Sequence, residues 1–477
     1  MIKNSIKKNY LYNVSYQILL LLTPLITTPY ISRVLGADGV GQVSYAESIV
    51  SYFTLFACLG ITSYGQREIS YVQDSKEKRS EIFWNTKILQ FCTSGISLII
   101  YIIFAFCQIN SSIYLFFVLN ILTVFADVTW FFQGMEEFGR IIIRNIIFKI
   151  VNIVYIFMVI KSKDDILLYV LGLSFFMFIS NVSLWFYLPK FICRPIKGRI
   201  HPFIKIKVVL SLFVPTIAIQ IYTVLDKTMI GVIAQNSFEN GYYEQALKLS
   251  KMVMTVVTSL GTVMIPRIGY HFQNKESNEV KRLIYRGYRF VWFLGIPLCV
   301  GLASVAGNFV PWFYGDGYER VIDLLRILSL LIIAIGISNV TGMQYLVPTK
   351  RQNLFTLSVI IGAVINFFMN VILIKIFQSI GAAIASVTAE IIIAIAQLML
   401  VRKEISPWKV IRESFHYLIA GVIMGVVLYL VGGLLTPSII HTIILIACGG
   451  CVYFTVLLII RDDFFMSNVS WILKKIR

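Results

Sequence analysis

The chain has 477 residues, of which 58% are apolar and only 14% are charged, whereas soluble proteins usually carry about 25% charged residues. Apolar stretches of 18 or more residues recur from end to end, and each is long enough to cross a bilayer as a helix. The composition therefore excludes an ordinary soluble protein and predicts an all-α polytopic membrane protein.

Fourteen membrane-spanning helices are predicted from these apolar stretches. The N-terminal stretch MIKNSIKKNY is basic, like the start of a signal peptide, but no small-residue cleavage site follows it. Lys3, Lys7 and Lys8 are therefore expected to hold the N-terminus in the cytoplasm. The predicted spans are residues 12–33, 40–62, 82–107, 112–134, 141–161, 165–189, 207–233, 246–270, 286–306, 321–346, 353–377, 381–401, 412–434 and 438–460.

The distribution of lysine and arginine predicts the orientation of the spans. Both termini and the loops on their side hold 31 of these residues, and the opposite loops hold five. The positive-inside rule places both termini in the cytoplasm, which explains the net charge of +18 without a nucleic-acid partner. The basic loops 190–207 and 267–289 then face anionic lipid headgroups. The longest external connection, about 307–320, is too short to fold as a catalytic domain.

A weak internal repeat has an offset of 200 residues. The matched pairs are Gly41 with Gly241, Ala46 with Ala246, and Arg67 with Arg267. Six crossings return the chain to its starting side, so the halves are predicted to be two parallel six-helix lobes with a substrate site at their interface. The predicted lobes are residues 1–190 and 203–402, and residues 403–477 form an added two-helix appendage.

Three predicted spans carry polar residues on one helical face. A charged side chain that faces lipid would cost about 2.5–3.5 kcal/mol, so we expect these faces to line a shared hydrated cavity. Hydrogen bonding between helices is the alternative explanation. The faces are Ser44, Glu47, Ser48 and Ser51 in span 2, Thr216, Gln220, Thr223 and Lys227 in span 7, and Gln245, Lys248, Thr255, Ser259 and Thr262 in span 8.

Charged residues within the spans are basic slightly more often than acidic. A net-positive cavity would suit an anionic substrate such as a phosphate. The basic group is Arg33, Lys87, Lys149, Lys227, Lys248, Lys251 and Arg326, and the acidic group is Glu47, Asp127, Asp226, Asp323 and Glu390. The candidate substrate-binding residues are Arg33, Lys227, Lys248, Lys251, Arg326, Gln220 and Ser48, and the candidate coupling or gating residues are Glu47, Asp127 and Asp226.

Simpler roles are open for several of these residues. Lys227 has Asp226 beside it as a possible ion-pair partner, and Arg326 has Asp323 one helical turn away. The long side chains of Lys87, Lys248 and Lys251 are able to extend to the membrane surface. Asp127 has a structural role as its alternative.

Cysteine and histidine are scattered, and no catalytic or metal site is predicted. The CxxC of Cys448 and Cys451 lies within an apolar helix and has no second pair, so we interpret these cysteines as packing residues.

Several motifs occur in an order and spacing that resemble one transporter family. They are SRVLGADGVGQVSYAESIVSYF, LGITSYGQREIS, DVTWFFQGMEEF, DKTMIGVI, GYYEQALKL and GMQYLVPTKRQN. Together they resemble the polysaccharide repeat-unit flippases, which serve O-antigen and capsule synthesis, within the multidrug/oligosaccharidyl-lipid/polysaccharide exporter superfamily. The resemblance covers most of the first 400 residues.

This resemblance implies two six-helix lobes around a central cavity, often with two added helices. It also implies a substrate, an undecaprenyl-diphosphate-linked oligosaccharide, moved from the inner to the outer leaflet of the bacterial cytoplasmic membrane. In the family, basic cavity residues meet the lipid diphosphate. The matching positions here are Arg33 in RVLG and Lys227 in DK.

The expected mechanism is alternating access by a non-enzymatic transporter without a cofactor. No phosphate-binding P-loop motif is present, so coupling to a proton, to sodium or to the membrane potential is expected instead of ATP. The expected partners are the lipid-linked oligosaccharide, membrane lipid and polymerase or ligase machinery. A lipid II flippase and a drug–cation antiporter of the same superfamily are alternatives. A membrane polysaccharide polymerase or glycosyltransferase is the alternative from another class.

Overall fold

The computed structural model describes residues 6–109, 111–195, 198 and 200–467, without the side chains of residues 6–14, 214, 215, 218, 219, 221, 222 and 262. Lys3 and the side chains of Lys7, Lys8 and Thr262 lie outside this description. Every regular element in the described residues is helical, as the composition predicts. The chain packs into two compact units, residues Met1–Thr228 and Met229–Arg477. The predicted division at residues 1–190, 203–402 and 403–477 stays a prediction.

Unit 1 contains the first eight α-helices and most of the ninth. Short 3₁₀ helices at Lys163–Asp165 and Leu184–Lys190 flank the eighth. The α-helices are α1 (Ile6–Cys58), α2 (Ile61–Ser70), α3 (Lys76–Phe106), α4 (Ser111–Phe116), α5 (Val118–Ala126), α6 (Thr129–Gly134), α7 (Phe138–Val159), α8 (Ile166–Ser183) and α9 (Ile206–Ile233).

Helix α1 is one long element that breaks at a single glycine. Its apolar part, together with α2, forms the span Ser15–Ser70 of 56 residues. These residues would extend about 84 Å as one straight helix, against a hydrocarbon core of about 30 Å. Gly36 interrupts the helix with φ 69° and ψ 175°, a conformation that is essentially restricted to glycine. The break lies between the predicted spans 12–33 and 40–62.

Unit 2 contains the remaining α-helices and a π-helix at Asn339–Leu346. Its helices are α10 (Ser237–Thr258), α11 (Gly261–Gln273), α12 (Ser277–Tyr314), α13 (Glu319–Leu328), α14 (Leu330–Ser338), α15 (Gln352–Phe377), α16 (Ser379–Leu400), α17 (Pro407–Arg412), α18 (Phe415–Gly432) and α19 (Ile439–Ile460).

Helix α12 is the central element of unit 2, because α13, α14, α18 and α19 all pack against it. Two glycines of α18 allow the close approach. A Cβ at Gly421 would lie 2.5 Å from Cγ2 of Ile296, and one at Gly425 would lie 2.9 Å from Cγ1 of Val300. Tyr417 of α18 and other residues of the last two helices belong to the same hydrophobic core as α12.

Eleven helices among the described residues are long and apolar enough to cross a membrane, or 12 if α10 and α11, bent by 41°, are one span. The count of fourteen therefore stays a prediction. The expected external connection 307–320 is wrong in its extent, because α12 continues to Tyr314 and α13 begins at Glu319. The expected loop 267–289 is likewise mostly helical. The start of α12 is a charged, amphipathic end, which hydropathy alone does not detect. Its last residues, 307–314, are mostly apolar and aromatic and continue the helix beyond the predicted span.

Candidate functional site

Unit 1 brings the polar face of α1 against α9. The hydroxyl of Thr228 donates to Ser48 Oγ at 3.0 Å, and the Tyr52 hydroxyl lies 3.0 Å from Thr228 Oγ1. Thr228 follows Lys227 directly in the chain. The predicted residues Ser48 and Lys227 therefore belong to two helices that meet through a hydroxyl cluster.

The polar face of α1 is only partly buried. Ser44 and Ser48 are 3% and 2% exposed. Glu47 is exposed, although it lies on the same helical face, and Arg33, three residues before the break at Gly36, is exposed as well. The buried serines accordingly pack within unit 1, while the two charged groups lie at its surface.

Helix α9 presents its predicted polar face at the surface of unit 1. Thr216 and Thr223 are exposed, and Gln220, Asp226 and Lys227 are half-buried. Two of the four predicted residues of this face are thus exposed, and the other two, Gln220 and Lys227, are partly covered.

In unit 2, the residues of the predicted polar face of α10 differ in side-chain exposure. Lys248 is half-buried and Lys251 is exposed, as are Thr255 and Ser259. Gln245 is 3% exposed and lies inside the unit, so its expected place on the cavity face is wrong. Gln245 lies at the edge of the helical face that the other residues share, where neighbouring helices cover it.

Arg326 on α13 pairs with Asp323. The guanidinium Nη1 lies 3.3 Å from Asp323 Oδ1, and both side chains are more than half exposed. Their ion pair is the simpler role that the sequence left open for Arg326. An exposed pair of this kind contributes little to stability, so both residues stay accessible to a ligand.

Asp127 lies where the predicted fourth span breaks. Helix α5 ends at Ala126 and α6 begins at Thr129. Oδ1 of Asp127 accepts hydrogen bonds from Thr129 N at 2.9 Å and from Thr129 Oγ1 at 2.6 Å. The carboxylate therefore orients the start of α6, which is the structural role that the sequence left open.

Side chains donate to the main-chain carbonyls of residues 124–127, at the end of α5 and just beyond it. A helix end leaves these carbonyls without intrahelical donors, and membrane interior offers no water to replace them. Gln90 Nε2 donates to Val124 O and Trp185 Nε1 to Ala126 O, both at 2.7 Å. Lys87 Nζ donates to the carbonyls of Phe125 at 2.7 Å and Asp127 at 2.8 Å.

Lys87 is fully buried. Its ammonium group also lies 4.9 Å from the ring centroid of Phe91 and 5.2 Å from that of Trp185. The alternative role of Lys87, extension to the membrane surface, is excluded, because the carbonyls of the broken helix hold the ammonium group inside unit 1. For the same reason Lys87 does not contribute to a cationic cavity.

Sequence reasoning missed Arg144 as a buried charge. Arg144 is 9% exposed, and its Nη1 donates to the Ser180 carbonyl at 3.0 Å and to Asn181 Oδ1 at 3.1 Å. Its position three residues inside predicted span 5 was the available signal, because an arginine in an apolar span usually has partners.

The predicted site residues are divided between the units. Unit 1 holds Arg33, Glu47, Ser48, Asp127, Gln220, Asp226 and Lys227, and unit 2 holds Lys248, Lys251 and Arg326. Within each unit, charged side chains lie at the surface of helices that are apolar enough to cross a membrane. This combination defines a multi-pass membrane protein with polar helix faces.

Two solved structures share the fold. "Lipid II flippase MurJ, inward closed conformation" matches with a TM-score of 0.69 and 16% identity, covering 96% of this chain and 99% of that chain. "Inward-facing conformation of a multidrug resistance MATE family transporter of the MOP superfamily" matches with a TM-score of 0.61 and 12% identity, covering 84% and 94%. The fold class is therefore that of these membrane transporters.

The chain belongs to the family described as "Polysaccharide biosynthesis protein", which matches residues 6–272. The "Putative O-antigen transporter" of Escherichia coli (strain K12) is 23% identical over 420 residues, covering 84% of this chain and 97% of that protein. "Lipid II flippase MurJ" of Bacillus subtilis (strain 168) is 24% identical over 379 residues, covering 70% of each. These findings confirm the resemblance to polysaccharide flippases that the motifs predict.

Proposed function

We propose that the protein is a flippase that moves undecaprenyl-diphosphate-linked oligosaccharide repeat units from the inner to the outer leaflet of the bacterial cytoplasmic membrane. The relatives are transporters and flippases by name, which supports transport rather than catalysis. In this proposal the protein works by alternating access and opens first to the inner and then to the outer side of the membrane.

The observation that carries this proposal is the exposure of charged side chains on apolar helices. Arg33, Glu47 and Lys251 are exposed on the surfaces of their units. Each would cost about 2.5–3.5 kcal/mol if it faced lipid, whereas a hydrated pathway removes most of that cost. Unaided flipping is slow because the sugar headgroup would lose its hydration in the membrane interior. A hydrated pathway avoids that loss.

The proposed binding residues follow from charge. The diphosphate is an anion, and guanidinium and ammonium groups are its natural partners in a protein. Arg33 and Lys227 lie at the family motif positions, and Lys248 and Lys251 lie on the exposed face of α10. Arg326 and Gln220 complete the proposed set as hydrogen-bonding groups, while the polyprenyl tail stays in lipid. Ser48, although predicted as a binding residue, is buried and joins α1 to α9 through Thr228.

Glu47 is the preferred candidate for coupling to a proton or sodium ion. It is exposed on α1, whereas the Asp127 carboxylate orients the start of α6. Asp226 adjoins Lys227 and is proposed as a gating partner. An inside-negative potential of 100 mV also favours outward movement of an anion by about 2.3 kcal/mol per charge.

Replacement of Lys227 by alanine tests the site. Lys227→Ala is expected to reduce export at least tenfold, while the melting temperature of the purified protein stays unchanged. Lys227→Arg should keep most of the activity because it keeps the charge. The matched control is Lys207→Ala, an exposed position at the other end of α9, and export should be unaffected. Full export by Lys227→Ala removes this residue from the site.

Gene deletion tests the substrate. Lipid-linked repeat units should accumulate on the cytoplasmic face, and restoration of the gene should clear them. A lipid II flippase is the second candidate, because that fold matches over 96% of the chain. Rescue of cells depleted of their own lipid II flippase would favour it. Unchanged lipid-linked pools with altered drug sensitivity would indicate an antiporter instead.

A further inference from the structure

Unit 2 contains a wide groove of about 810 Å³ at the N-terminal end of α12. Its lining is strongly basic and carries two carboxylates, so the charged groups leave an excess of three positive charges. The cations are Lys281, Arg282, Arg286, Arg289 and Lys409, and the carboxylates are Glu413 and Asp463. None of these residues belongs to the proposed transport site.

The basic residues of α12 form one helical face. Arg282, Arg286 and Arg289 are spaced by four and three residues, which places them on the same side of the helix. Arg282 pairs with Glu279 at 2.7 Å. In the described part of the chain, Arg286 and Arg289 form no ion pair. The guanidinium of Arg286 is therefore available to an anion, while that of Arg289 lies near the Glu413 carboxylate and shares the groove with it.

The wall opposite this face is held in place by α17. Buried Trp292 donates its Nε1 hydrogen to the Val410 carbonyl at 3.0 Å. Ser406 N donates to the Tyr285 hydroxyl at 3.0 Å, and Lys409 Nζ lies 4.2 Å from the Tyr285 ring centroid. These contacts fix a third cation beside the two arginines.

Residues 462–467 form the remaining wall. The Phe464 ring packs 5.4 Å from that of Phe293 on α12. Asp462 is 7% exposed, accepts from the Phe465 main-chain nitrogen at 2.8 Å and from the Tyr417 hydroxyl at 3.2 Å. The groove is thus built from three segments that specific contacts hold together, and it is not a chance gap between mobile side chains.

We propose that this groove binds the phosphate of an anionic phospholipid headgroup from the membrane leaflet that faces the cytoplasm. The positive-inside distribution assigns this end of α12 to the cytoplasmic side. Arginine forks suit phosphate oxygens, and basic pockets between membrane helices on this side bind such headgroups. The apolar helices α12 and α18 rise from the groove and would flank the acyl chains. The bound lipid joins α12, α17 and residues 462–467.

Lipid retention by the purified full-length protein tests the proposal. The protein is equilibrated in detergent with equal amounts of phosphatidylglycerol and phosphatidylcholine, and bound lipid is counted by native mass spectrometry. Phosphatidylglycerol should be retained preferentially. Arg286→Gln with Arg289→Gln should weaken its binding roughly 25-fold, because each cation near a membrane surface contributes about fivefold.

The matched control replaces two exposed cations of the same unit that do not line the groove, Arg402→Gln with Lys403→Gln. Its binding should stay within twofold of the wild type. Equal losses in both double variants would overturn the proposal in favour of general surface charge. Equal retention of the two lipids by the wild type would overturn it without any variant. Displacement of the lipid by millimolar inorganic pyrophosphate would assign the groove to a soluble anion instead.

Discussion

Lys87 has its ammonium group buried among main-chain carbonyls at the end of α5. Replacement by methionine would leave the carbonyls of Phe125 and Asp127 without a donor. Each orphaned buried group costs about 1–3 kcal/mol, so the loss of two such partners in Lys87→Met is expected to destabilise the protein by roughly 2–6 kcal/mol in total. The melting temperature of the purified protein in detergent measures this loss.

The matched control for this variant is Lys76→Met, at the exposed start of the same helix α3. It should leave the melting temperature nearly unchanged. Comparable losses in both variants would contradict the capping role of Lys87.

Glu404 lies outside the membrane spans, and its ionisation makes the stability of the protein depend on pH. Its carboxylate accepts a hydrogen bond from the Tyr345 hydroxyl and pairs with Arg351 Nη1 at 2.9 Å. Partial burial acts to raise the pKa of Glu404, but the Tyr345 hydrogen bond and the Arg351 charge outweigh it, and the pKa lies below its usual value. The stabilisation is therefore present above the ordinary carboxyl pKa of about 4.3 and is lost as the pH falls through the lowered pKa.

Melting temperatures of the wild type and Glu404→Gln across pH 3–7 test this prediction. The wild type should be the more stable protein near neutral pH, and the difference should disappear in acid. The effect is expected to be small, because the Glu404 side chain is 44% exposed and solvent screens the pair. A difference that does not shrink as the pH falls would contradict the assignment.

At the level of single residues, the sequence predicts whether a side chain is exposed better than it predicts which residues that side chain contacts. The helical spacing of the α9 face leads to two exposed residues, Thr216 and Thr223, whereas Gln220 and Lys227 are half-buried. The partners of Lys87 come from 38 and 40 residues away, so no local pattern contains them. Gln245 shows the same limit, because the neighbours that cover it belong to distant helices.

At the level of elements, Gly36 sets the break of α1. With φ at 69°, alanine at this position is expected to cost roughly 1–3 kcal/mol in backbone strain. An added Cβ would meet only Lys163 Cε, at 3.9 Å. The loss of stability would therefore come from backbone strain and not from a steric clash. Gly95→Ala in α3 is the control: a Cβ there meets no atom within 4 Å, and it should stabilise the helix by about 0.5–1 kcal/mol. Equal melting temperatures for Gly36→Ala and the wild type would refute the role of Gly36.

Substitutions at Asp127 test how its side chain stabilises the second helix break, between α5 and α6. Asp127→Asn keeps an oxygen that accepts from Thr129, so stability and export should both stay near the wild-type level. Asp127→Ala removes the acceptor and should cost about 1 kcal/mol. Loss of export in Asp127→Asn with an unchanged melting temperature would instead support a coupling role for the charge.

Element boundaries follow from the sequence where the apolar stretch ends abruptly. The predicted spans 353–377 and 438–460 agree with Gln352–Phe377 and Ile439–Ile460 within one residue. The prediction is wrong where a helix continues into an amphipathic end, as in α12. Hydropathy is also silent about the break at Asp127, because the residues on both sides of it are apolar.

At the level of the whole molecule, two native cysteines test the predicted orientation. Cys107 is the last residue of predicted span 3, at its external end, and Cys193 lies in the basic internal loop; both are exposed free thiols. In variants that retain only one of the two, a membrane-impermeant maleimide applied to intact cells should label Cys107 and not Cys193. Both should react after lysis. Labelling of Cys193 in intact cells would reverse the predicted topology.

The packing of α18 and α19 against α12 has a consequence for biosynthesis. The ribosome completes α12 more than a hundred residues before it completes α18. During that interval Ile296 and Val300 are not yet packed against Gly421 and Gly425. The second unit closes its core only when the final hairpin has left the translocon. A premature stop codon before α18 therefore yields a chain in which this face of α12 is uncovered. Quality-control proteases are expected to degrade that chain, although every earlier helix is present.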